Sequence, residues 1–326
     1  MIFEQICCII VLFKNKNILG ENLFMLDFKE LELSDKEKIE PFLAIDGSIM
    51  ADRTFASLYI WREHYDVQIC LKNDFLYLLS KDHRSLRTYY MPLGKGDIAP
   101  AIAEIEADSR ECGKPFHVIL FTKERKEELE KACPGKYAFV DDRDNYDYVY
   151  RASDLMELKG KHFHAKRNFI NRFLAAYNGR WRYEDIDPVR HRSLIHEYTL
   201  KWGRAKSGDG YQDDYRHELL AIDSALTNYE ALNIRGGILW IDDQIVAYTL
   251  AAVTHNKVID VMFEKADAEI DGAYPMINNQ FAIHNFGDME LVNREEDMGI
   301  PGLRTAKLSY NPIMMTEKYV MTPAEV

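Results

Sequence analysis

The sequence predicts an α+β protein of two domains, each with a mixed sheet flanked by helices. The chain has 326 residues, more than one hydrophobic core commonly supports, so two domains of roughly 100–200 residues are expected. Residues 25–150 and 151–326 share one order of predicted elements, namely helix, hairpin, helix, strand, helix and strand. Hydrophobic residues at 47% and charged residues at 29% exclude a disordered or fibrous chain. We therefore predict a tandem duplication that divides near residue 150.

Residues 1–24 form a poorly patterned N-terminal extension, and Met25 opens the first well-patterned segment. The apolar run Ile6–Phe13 is far shorter than the roughly 20 residues that cross a bilayer. Glu4 precedes this run where a signal peptide would carry basic residues, so we expect no targeting segment here. The cysteines are scattered, without a CxxC pair or a zinc-binding spacing: Cys7, Cys8, Cys70, Cys112 and Cys133. This usage indicates a reducing, cytoplasmic setting.

The first domain alternates helices with strands. Apolar residues at helical spacing predict a helix after Ser34, its candidate N-cap, and Gly113 marks the end of another helix. Phe116–Phe121 is apolar almost throughout, which predicts a central strand covered on both faces. The other predicted elements are a helix over Thr54–His64, a hairpin of Val67–Leu71 and Phe75–Leu79, helices over Ile98–Cys112 and Glu124–Ala132, and a closing aromatic strand over Tyr146–Tyr150.

The second domain begins with one long amphipathic helix over Ser153–Tyr177, because Phe163, Ile170 and Phe173 fall on one stripe at about 100° per residue. A three-stranded antiparallel meander is predicted over Gly236–Ala266. The other predicted elements are a strand over Arg180–Tyr183, helices over Pro188–Trp202, Tyr215–Tyr229 and Tyr274–Phe286, a strand over Glu290–Val292, a short helix after Pro301 and a last strand over Ile313–Tyr319.

The net charge is −12, from 41 basic and 53 acidic residues. A protein this acidic is not expected to coat nucleic acid or an anionic membrane with its whole surface, because both are polyanions. Residues 158–183 reverse the sign, since they contain no acid and carry these cations: Lys159, Lys161, Lys166, Arg167, Arg172, Arg180 and Arg182. This basic run is interpreted in two ways, as an anion site or as a solvated helix face neutralised by acids elsewhere.

The anion-site interpretation places phosphates of RNA, of a nucleotide or of a lipid headgroup on this run. Lys166 and Arg167 border the apolar stripe, where a long side chain can present its charge at a groove. Phe163 and Trp181 are interleaved with the cations and could stack on a base. The expected partner is therefore a tRNA or a small phosphate-bearing molecule at a local basic patch.

A second candidate stretch is NREEDMGIPGLRTAKLSYNP, residues 293–312. Three consecutive acids, Glu295, Glu296 and Asp297, precede a short helix that carries Arg304 and Lys307 on one face. Carboxylates and cations crowded at a strand-to-helix turn suit general acid–base catalysis and stabilisation of developing charge. The alternative is structural, with the acids favouring the positive end of the helix and pairing with its cations.

Other motifs of catalysis or metal binding are absent from the sequence. It contains no GxSxG, no P-loop and no GxGxxG after a strand. These histidines have no metal-binding spacing: His191, His196, His217 and His284. We therefore predict no metal site.

Three segments carry a family resemblance: GKHFHAKRNFINRF (160–173), AYPMINNQFA (273–282) and NREEDMGIPGLRTAKLSYNP (293–312). They resemble bacterial proteins related to the C-terminal domain of phosphatidylglycerol lysyltransferase. The resemblance implies two tandem GNAT-like domains, of the acyl-CoA N-acyltransferase type, an arrangement shared with the Fem-type peptidoglycan aminoacyltransferases. It also implies transfer of an aminoacyl group from a charged tRNA, or of an acyl group from another activated donor.

Two departures from the family pattern bear on the substrate. The sequence has no segment long enough to span a bilayer, unlike the membrane-spanning half of the lipid-modifying enzymes. The acetyl-CoA loop Q/R-x-x-G-x-G/A is replaced by DGAYPMINNQ, residues 271–280. Aminoacyl-tRNA is therefore the favoured donor over acyl-CoA, and no cofactor is expected.

The resemblance and the residues together predict direct transfer to an amine or hydroxyl acceptor. Glu295 or Asp297 orients or deprotonates the nucleophile, with Lys307 beside them. The predicted catalytic residues are Glu295, Asp297 and Lys307, and the predicted substrate-binding residues are Lys166, Arg167, Asn168, Asn278, Gln280, Asn293, Arg294 and Arg304. Lys166 and Arg167 are expected to hold the donor's phosphates, and Asn278 and Gln280 its aminoacyl moiety.

Two alternatives to catalysis stay open, a ligand-binding or regulatory protein on the same fold and an RNA-binding protein. The enzyme hypothesis predicts that residues 293–312 and the basic helix of residues 159–182 converge on one cleft. If these two segments instead lie apart and exposed to solvent, the ligand-binding or regulatory protein is favoured. Steep salt dependence of RNA association would favour the RNA-binding protein.

Overall fold

Two mixed β-sheets with helices on their faces form the protein, as seen in a computed structural model that describes residues 25–45, 49–81, 86–207 and 216–324. The strands are β1 (Lys29–Glu30), β2 (Gln68–Lys72), β3 (Phe75–Lys81), β4 (Arg87–Tyr90), β5 (Leu93–Gly94), β6 (Phe116–Phe121), β7 (Tyr137–Asp141), β8 (Asp147–Arg151), β9 (Trp181–Asp185), β10 (Ile234–Ile241), β11 (Gln244–Val253), β12 (Val258–Ala266), β13 (Leu291–Asn293), β14 (Met314–Thr316) and β15 (Tyr319–Pro323). The predicted fold class is confirmed.

The helices lie between these strands in the order expected of an α+β chain. They are α1 (Lys36–Leu43), α2 (Phe55–Ile60), α3 (Arg62–Tyr65), α4 (Ile98–Cys112), α5 (Lys123–Ala132), α6 (Ala152–Glu157), α7 (His164–Ala176), α8 (Pro188–Ser207), α9 (Arg216–Thr227), α10 (Ala273–Asn285) and α11 (Pro301–Leu308). Within the described ranges, no helix combines the length and the apolar character that crossing a membrane requires. The predicted extension over residues 1–24 lies outside the described residues.

The first sheet has the strand order β1-β2-β3-β4-β6-β15-β7, with β5 paired to β3. Strand β6 lies inside this sheet, between β4 and β15, as its apolar sequence predicted. Gly113 ends α4 in the left-handed conformation at φ 63°, also as predicted. The prediction that Ser34 is the N-cap of the first helix was wrong. Ser34 lies inside a 3-10 turn, Leu33–Asp35, and Glu32 caps that turn, so α1 begins only at Lys36.

The second sheet has the order β14-β8-β13-β12-β11-β10-β9. The aromatic strand that was expected to close the first half is β8, and it pairs with β13 and β14 of this sheet. The predicted last strand is two strands, of which β14 belongs to the second sheet and β15 to the first. The predicted division near residue 150 therefore falls inside β8, and the first sheet takes a strand from the far end of the chain.

The long helix predicted over Ser153–Tyr177 is two helices, α6 and α7. Helix α6 ends because Leu158 adopts the left-handed conformation at φ 47°, and Gly160 follows at φ 91°. The Arg167 guanidinium donates to the backbone carbonyls of both residues and holds the bend. Hydrophobic periodicity could not reveal this break, since Phe163 and Ile170 continue the buried stripe on the far side.

The meander of β10, β11 and β12 is confirmed, with left-handed residues at Asp242 and Asp243 in the first turn. Strand β13 joins β12 in parallel, pairing Val258–Asp260 with Leu291–Asn293. Beyond these pairs the strands part, because β13 ends at Asn293 while β12 continues to Ala266. This divergence opens the second sheet at its centre, and the candidate site lies around it.

Buried polar contacts join the two halves. The Lys318 ammonium lies 1% exposed between the carboxylates of Asp147, at 2.7 Å, and Asp52. Asp147 also accepts from the Ala51 backbone amide at 2.9 Å and from the Asn293 side chain at 3.1 Å. We call Asp52, Asp147 and Lys318 the lysine triad. It fixes the 3-10 turn Ala51–Arg53 of the first half against the second sheet.

Candidate functional site

A cavity of about 390 Å³ lies between the two halves beyond the end of β13. The first half contributes Asp52 and the aromatic side chains of Trp61, Tyr65 and Tyr90 to its wall. The charged side chains that line it from the second half are Glu218, Glu295, Glu296 and Lys307. Carboxylates outnumber the single lining cation, so we call it the acidic cavity. A concave site with this lining suits a ligand group that carries positive charge.

Glu295 is the most perturbed carboxyl group of the acidic cavity. Burial raises its pKa well above the usual range, and the charges of Asp260 and Glu296 add to the shift, while Lys307 opposes it. Its backbone is left-handed at φ 56°, held by an N–H donated to the Asn293 side chain at 2.7 Å. A carboxyl group with a raised pKa, in a cavity, on a constrained backbone is suited to proton transfer near neutral pH.

Glu296 and Lys307 complete the titratable groups beside Glu295. Burial raises the pKa of Glu296, and the neighbouring charge of Asp52 adds to it. Burial lowers the pKa of Lys307, whose side chain is 8% exposed, although Glu295 opposes this shift. The Lys307 ammonium donates to the backbone carbonyl of Arg294. Lys307 therefore connects the acidic cavity with the side chains around Arg294.

A second group of side chains lies where β12 and β13 part. Arg294 forms an ion pair with Glu264 of β12 at 2.9 Å, and its guanidinium carbon lies 4.7 Å from the centre of the Tyr310 ring. The Lys166 ammonium, from α7, lies 3.8 Å from the same ring centre. Asn278 of α10 donates to Glu264 at 2.9 Å. We call these five residues the arginine cluster.

The arginine cluster contains buried polar atoms that are available for hydrogen bonds to a ligand. Arg294 Nη1 and Asn278 Oδ1 are buried, and neither has a hydrogen-bond partner among the residues that the structure describes. Buried polar atoms of this kind are uncommon in folded proteins, because each costs free energy when it stays unpaired. One donor and one acceptor are thus available side by side. Burial and the nearby Arg294 charge also lower the pKa of Lys166 to about 8.

Asp297 and Arg304 pair with each other. The two Asp297 oxygens accept from Arg304 at 2.7 and 2.9 Å, and one also accepts from the Tyr148 hydroxyl. Arg304 holds the pKa of the fully buried Asp297 well below its usual range. The Gly299 amide donates to the same carboxylate at 2.9 Å, and a side chain at Gly299, where φ is 70°, would meet the carboxylate of Asp144. Asp297 thus anchors the loop before α11, and Arg304 is engaged with Asp297 and Asp144.

The remaining predicted site residues lie elsewhere. Arg167 is engaged with the bend before α7, and Asn168 is exposed beside His164 on the same helix. Gln280 is half-buried on α10, where its backbone carbonyl faces His284. Asn293 is fully buried and donates to the Ile49 carbonyl at 2.7 Å. Its contact with the Glu295 amide makes Asn293 a positioning residue for that carboxyl group.

Most cations of the basic run are neutralised by nearby acids. The pairs are Lys159 with Glu157, Arg172 with Asp271, Arg180 with Asp242, and Arg182 with Glu184 and Asp243. Phe163 is buried in the core, and Trp181 packs against Phe173 with ring centres 6.4 Å apart. These positions match the solvated-face interpretation, whereas Lys166 alone of the quoted cations reaches the arginine cluster among the described contacts.

Several residues of the site were missed from the sequence. Glu264 lies in β12 together with Asp260 and Lys265, and these charged residues in a mostly apolar strand are a signal that could have been used. Glu218 reaches the acidic cavity from α9 and pairs with Lys265 at 2.8 Å, while Asp52 reaches it from the first half. Nothing in the local sequence around Asp52 or Glu218 indicates that a cavity brings them together.

Replacing Asp297 with asparagine is expected to lower the free energy of unfolding by about 1–3 kcal/mol, because Arg304 and Tyr148 lose a charged acceptor. The low pKa makes this stabilisation present above the ordinary carboxyl range and lost as the pH falls through it. Urea unfolding at pH 7 and pH 3 measures both effects. Asp242→Asn, in the exposed pair with Arg180, is the matched control and should change stability far less. Equal losses in the two variants would contradict a structural role for Asp297.

Comparison with known proteins adds a family match and several similar structures. The family described as phosphatidylglycerol lysyltransferase, C-terminal, matches residues 48–322. A conserved protein of unknown function from Bacteroides thetaiotaomicron is 36% identical, with a TM-score of 0.85 over 92% of this chain and 100% of that chain. An uncharacterised protein of Mycoplasmoides gallisepticum is 24% identical over 177 residues, and the match spans 54% of this chain and 55% of that protein.

Two further structures resemble the fold at low sequence identity. L-PGS from Bacillus licheniformis is 16% identical, with a TM-score of 0.59 over 90% of this chain and 93% of that chain. A tandem GNAT protein from the clavulanic acid biosynthesis pathway is 9% identical, with a TM-score of 0.50 over 92% of this chain and 99% of that chain. The tandem GNAT-like architecture that the sequence predicted is confirmed by these similarities.

Proposed function

Because the chain belongs to the phosphatidylglycerol lysyltransferase C-terminal family, we propose that it transfers an aminoacyl group from aminoacyl-tRNA to an amine or hydroxyl acceptor. Family and fold are those of an acyltransferase. The observation that carries the finer proposal is the acidic cavity beside the arginine cluster, with Lys307 joining the two. The acidic cavity and the neighbouring arginine cluster together fit an activated donor that carries a positive charge near its carbonyl group and negative charges on its phosphates.

The acidic cavity favours an aminoacyl donor over a simple acyl donor. An aminoacyl ester carries an ammonium group one carbon away from its carbonyl, whereas an acetyl thioester carries none. The carboxyl groups of Glu218, Glu295 and Glu296 line the cavity and complement that ammonium group. The Arg294 Nη1 and Asn278 Oδ1 atoms supply a donor and an acceptor for the neighbouring polar atoms. The donor's phosphates lie toward Lys166, at the outer side of the arginine cluster.

The proposed reaction is a direct transfer. The acceptor nitrogen or oxygen attacks the ester carbonyl and gives its proton to Glu295, whose raised pKa makes it a competent base. The ester bond then breaks, and the terminal ribose hydroxyl of the tRNA leaves with a proton from the Lys307 ammonium. Lys307 also faces the negative charge that develops on the carbonyl oxygen. Positioning of the two substrates supplies much of the rate. This donor places the reaction in the cytoplasm.

Lys166 gives donor binding a characteristic pH dependence. Its pKa of about 8 means that the side chain is cationic below pH 8 and becomes neutral above it. Affinity for the charged tRNA is therefore expected to fall as the pH rises from 7 to 9. Lys166→Gln should lower the affinity at pH 7 by roughly tenfold and flatten this profile, since one charge-assisted contact is lost. Lys161→Gln, at an exposed position on the same basic run, is the control. A wild-type affinity that stays constant over this pH range would contradict the assignment of Lys166.

The proposed donor is tested by measuring binding and consumption of three candidates. Fluorescence titration compares a mixture of charged tRNAs with deacylated tRNA and with acetyl-CoA. Charged tRNA is expected to bind more tightly than deacylated tRNA, and slow release of amino acid to water should accompany binding. Tighter binding of acetyl-CoA would overturn the donor assignment. Binding of charged tRNA with no transfer, to water or to any amine or hydroxyl compound, would favour the ligand-binding alternative.

A further inference from the structure

A second cavity, of about 290 Å³, lies next to the acidic cavity along β12 and β13. Asp260 and Asn293 line it, whereas Met262 and Glu295, two residues further along each segment, line the acidic cavity. The 3-10 turn Ala51–Arg53 contributes to both walls. We call it the hairpin cavity, because residues 252–258 of the β11–β12 hairpin form one side of it.

Asp260 is the unusual feature of the hairpin cavity. Its side chain is 1% exposed, and both carboxyl oxygens lack a hydrogen-bond partner among the described residues. Burial raises the pKa of Asp260 well above the usual range, and the carboxylates of Asp147, Asp52 and Glu296 add to the shift. A buried carboxyl group that lines a cavity and has no hydrogen-bond partner among the described residues is expected to have a ligand.

The charges around the hairpin cavity favour a cation beside Asp260. Two cations also line the cavity, Lys36, which pairs with Glu40 at 3.6 Å, and Arg53, which donates to the Leu120 carbonyl. His255 lines the cavity from the hairpin. The lysine triad near Asp260 holds two carboxylates for one ammonium. An anion entering the cavity would meet this excess of acids, whereas a cation would be attracted by it.

The size and lining of the hairpin cavity specify the kind of cation. Its volume equals that of roughly ten water molecules at about 30 Å³ each, which is too large for a bare metal ion. The polar residues Thr54, Asn233 and Thr254 line it together with Asp260. An ammonium group, with three N–H donors, suits one carboxylate and several neutral oxygens.

We propose that the hairpin cavity is a second ligand site, which binds a small molecule with a primary ammonium group and uses Asp260 as its counter-ion. Because the pKa of Asp260 is raised, a positive charge that binds beside the carboxyl group favours release of its proton to solvent. This site is separate from the transfer reaction, and the inference holds whether or not charged tRNA is the donor.

Isothermal titration with 1,4-diaminobutane tests the site, using two buffers of different ionisation enthalpy at pH 7. We expect one binding event that is accompanied by proton release, by linkage to the raised pKa of Asp260. The neutral analogue 1,4-butanediol should not bind. Asp260→Asn should weaken binding at least about tenfold and abolish proton release. Its thermal stability should stay close to that of the wild type, because asparagine keeps the shape of the side chain and carries no charge to bury.

Two further variants separate the hairpin cavity from its neighbour. Ala252→Leu places three carbon atoms in the hairpin cavity and should block binding with Asp260 intact. Glu218→Gln changes the acidic cavity and should leave proton-linked binding unchanged, because Glu218 pairs with Lys265 and, among the described contacts, not with the groups around Asp260. The proposal is overturned if the diamine does not bind, if binding survives in Asp260→Asn, or if binding is lost in Glu218→Gln and kept in Ala252→Leu. A crystal structure from the diamine solution with only water beside Asp260 would overturn it as well.

Discussion

Glu295→Gln is expected to reduce the rate of transfer by about 10²–10⁴-fold, the usual contribution of a positioned general base. The substitution keeps the size and shape of the side chain and removes its ability to take the acceptor's proton. Wild-type activity should rise with pH as Glu295 ionises above the ordinary carboxyl range, because its pKa is raised. The variant should lack this rise. Measurement of amino acid release from charged tRNA as a function of pH gives both results.

The stability of the Glu295→Gln variant separates catalysis from folding. A carboxyl group whose pKa is higher in the folded state loses stability as the pH rises from the unfolded to the folded pKa. Ionisation of Glu295 therefore opposes folding near neutral pH, and glutamine should be neutral or stabilising. Glu290→Gln, in the exposed pair with Lys257, is the matched control and should retain activity. A Glu295→Gln variant with full activity would remove Glu295 from the reaction, whatever its stability.

Lys318→Met is expected to destabilise the fold by about 3–5 kcal/mol, because the buried Asp147 carboxylate and the half-buried Asp52 carboxylate lose their shared counter-charge. Asp147 is fully buried and Lys318 is 1% exposed, so solvent cannot replace the ammonium group. Urea unfolding monitored by circular dichroism at pH 7 measures the loss.

The matched control for the lysine triad is Lys257→Met, which removes an exposed lysine from its pair with Glu290. This control should change stability far less than Lys318→Met, since exposed pairs are screened by solvent. The triad also holds the turn that divides the acidic cavity from the hairpin cavity. A Lys318→Met variant as stable as the control would show that the triad does not hold the two halves together.

The sequence predicted the elements whose signals are local. Helix α4 with its terminal Gly113, the central strand β6 and the meander all follow from periodicity and turn residues within one window. The break between α6 and α7 did not follow, because Leu158 is an ordinary helix residue that takes a left-handed conformation only in its tertiary setting. The position of β8 in the second sheet could not be predicted either, because the sequence of a strand does not specify the strand with which it pairs.

In the candidate site, too, residues within a recognisable sequence segment could be predicted, whereas residues that meet only in the folded protein could not. Glu295, Arg294 and Lys307 were predicted from one segment, and Lys166 and Asn278 from two others, and the structure places them around the divergence of β12 and β13. Their roles stay predictions. The structural alternative predicted that the acids of this segment pair with the cations of the short helix. Asp297 and Arg304 form such an ion pair. Asp52 and Glu218 could not be predicted, because the cavity that joins them forms only when both halves fold.

The place of β15 between β6 and β7 also determines when the protein can complete its folding. During synthesis, β6 and β7 emerge early but have no pairing with each other, and the strand that joins them is made after every element of the second sheet. The nascent first half therefore exposes unpaired strand edges until β15 has been synthesised, which makes it a target for chaperones or for aggregation. Folding of the first sheet is expected to be the slow step, since among the described strands it depends on the pairing most distant along the chain.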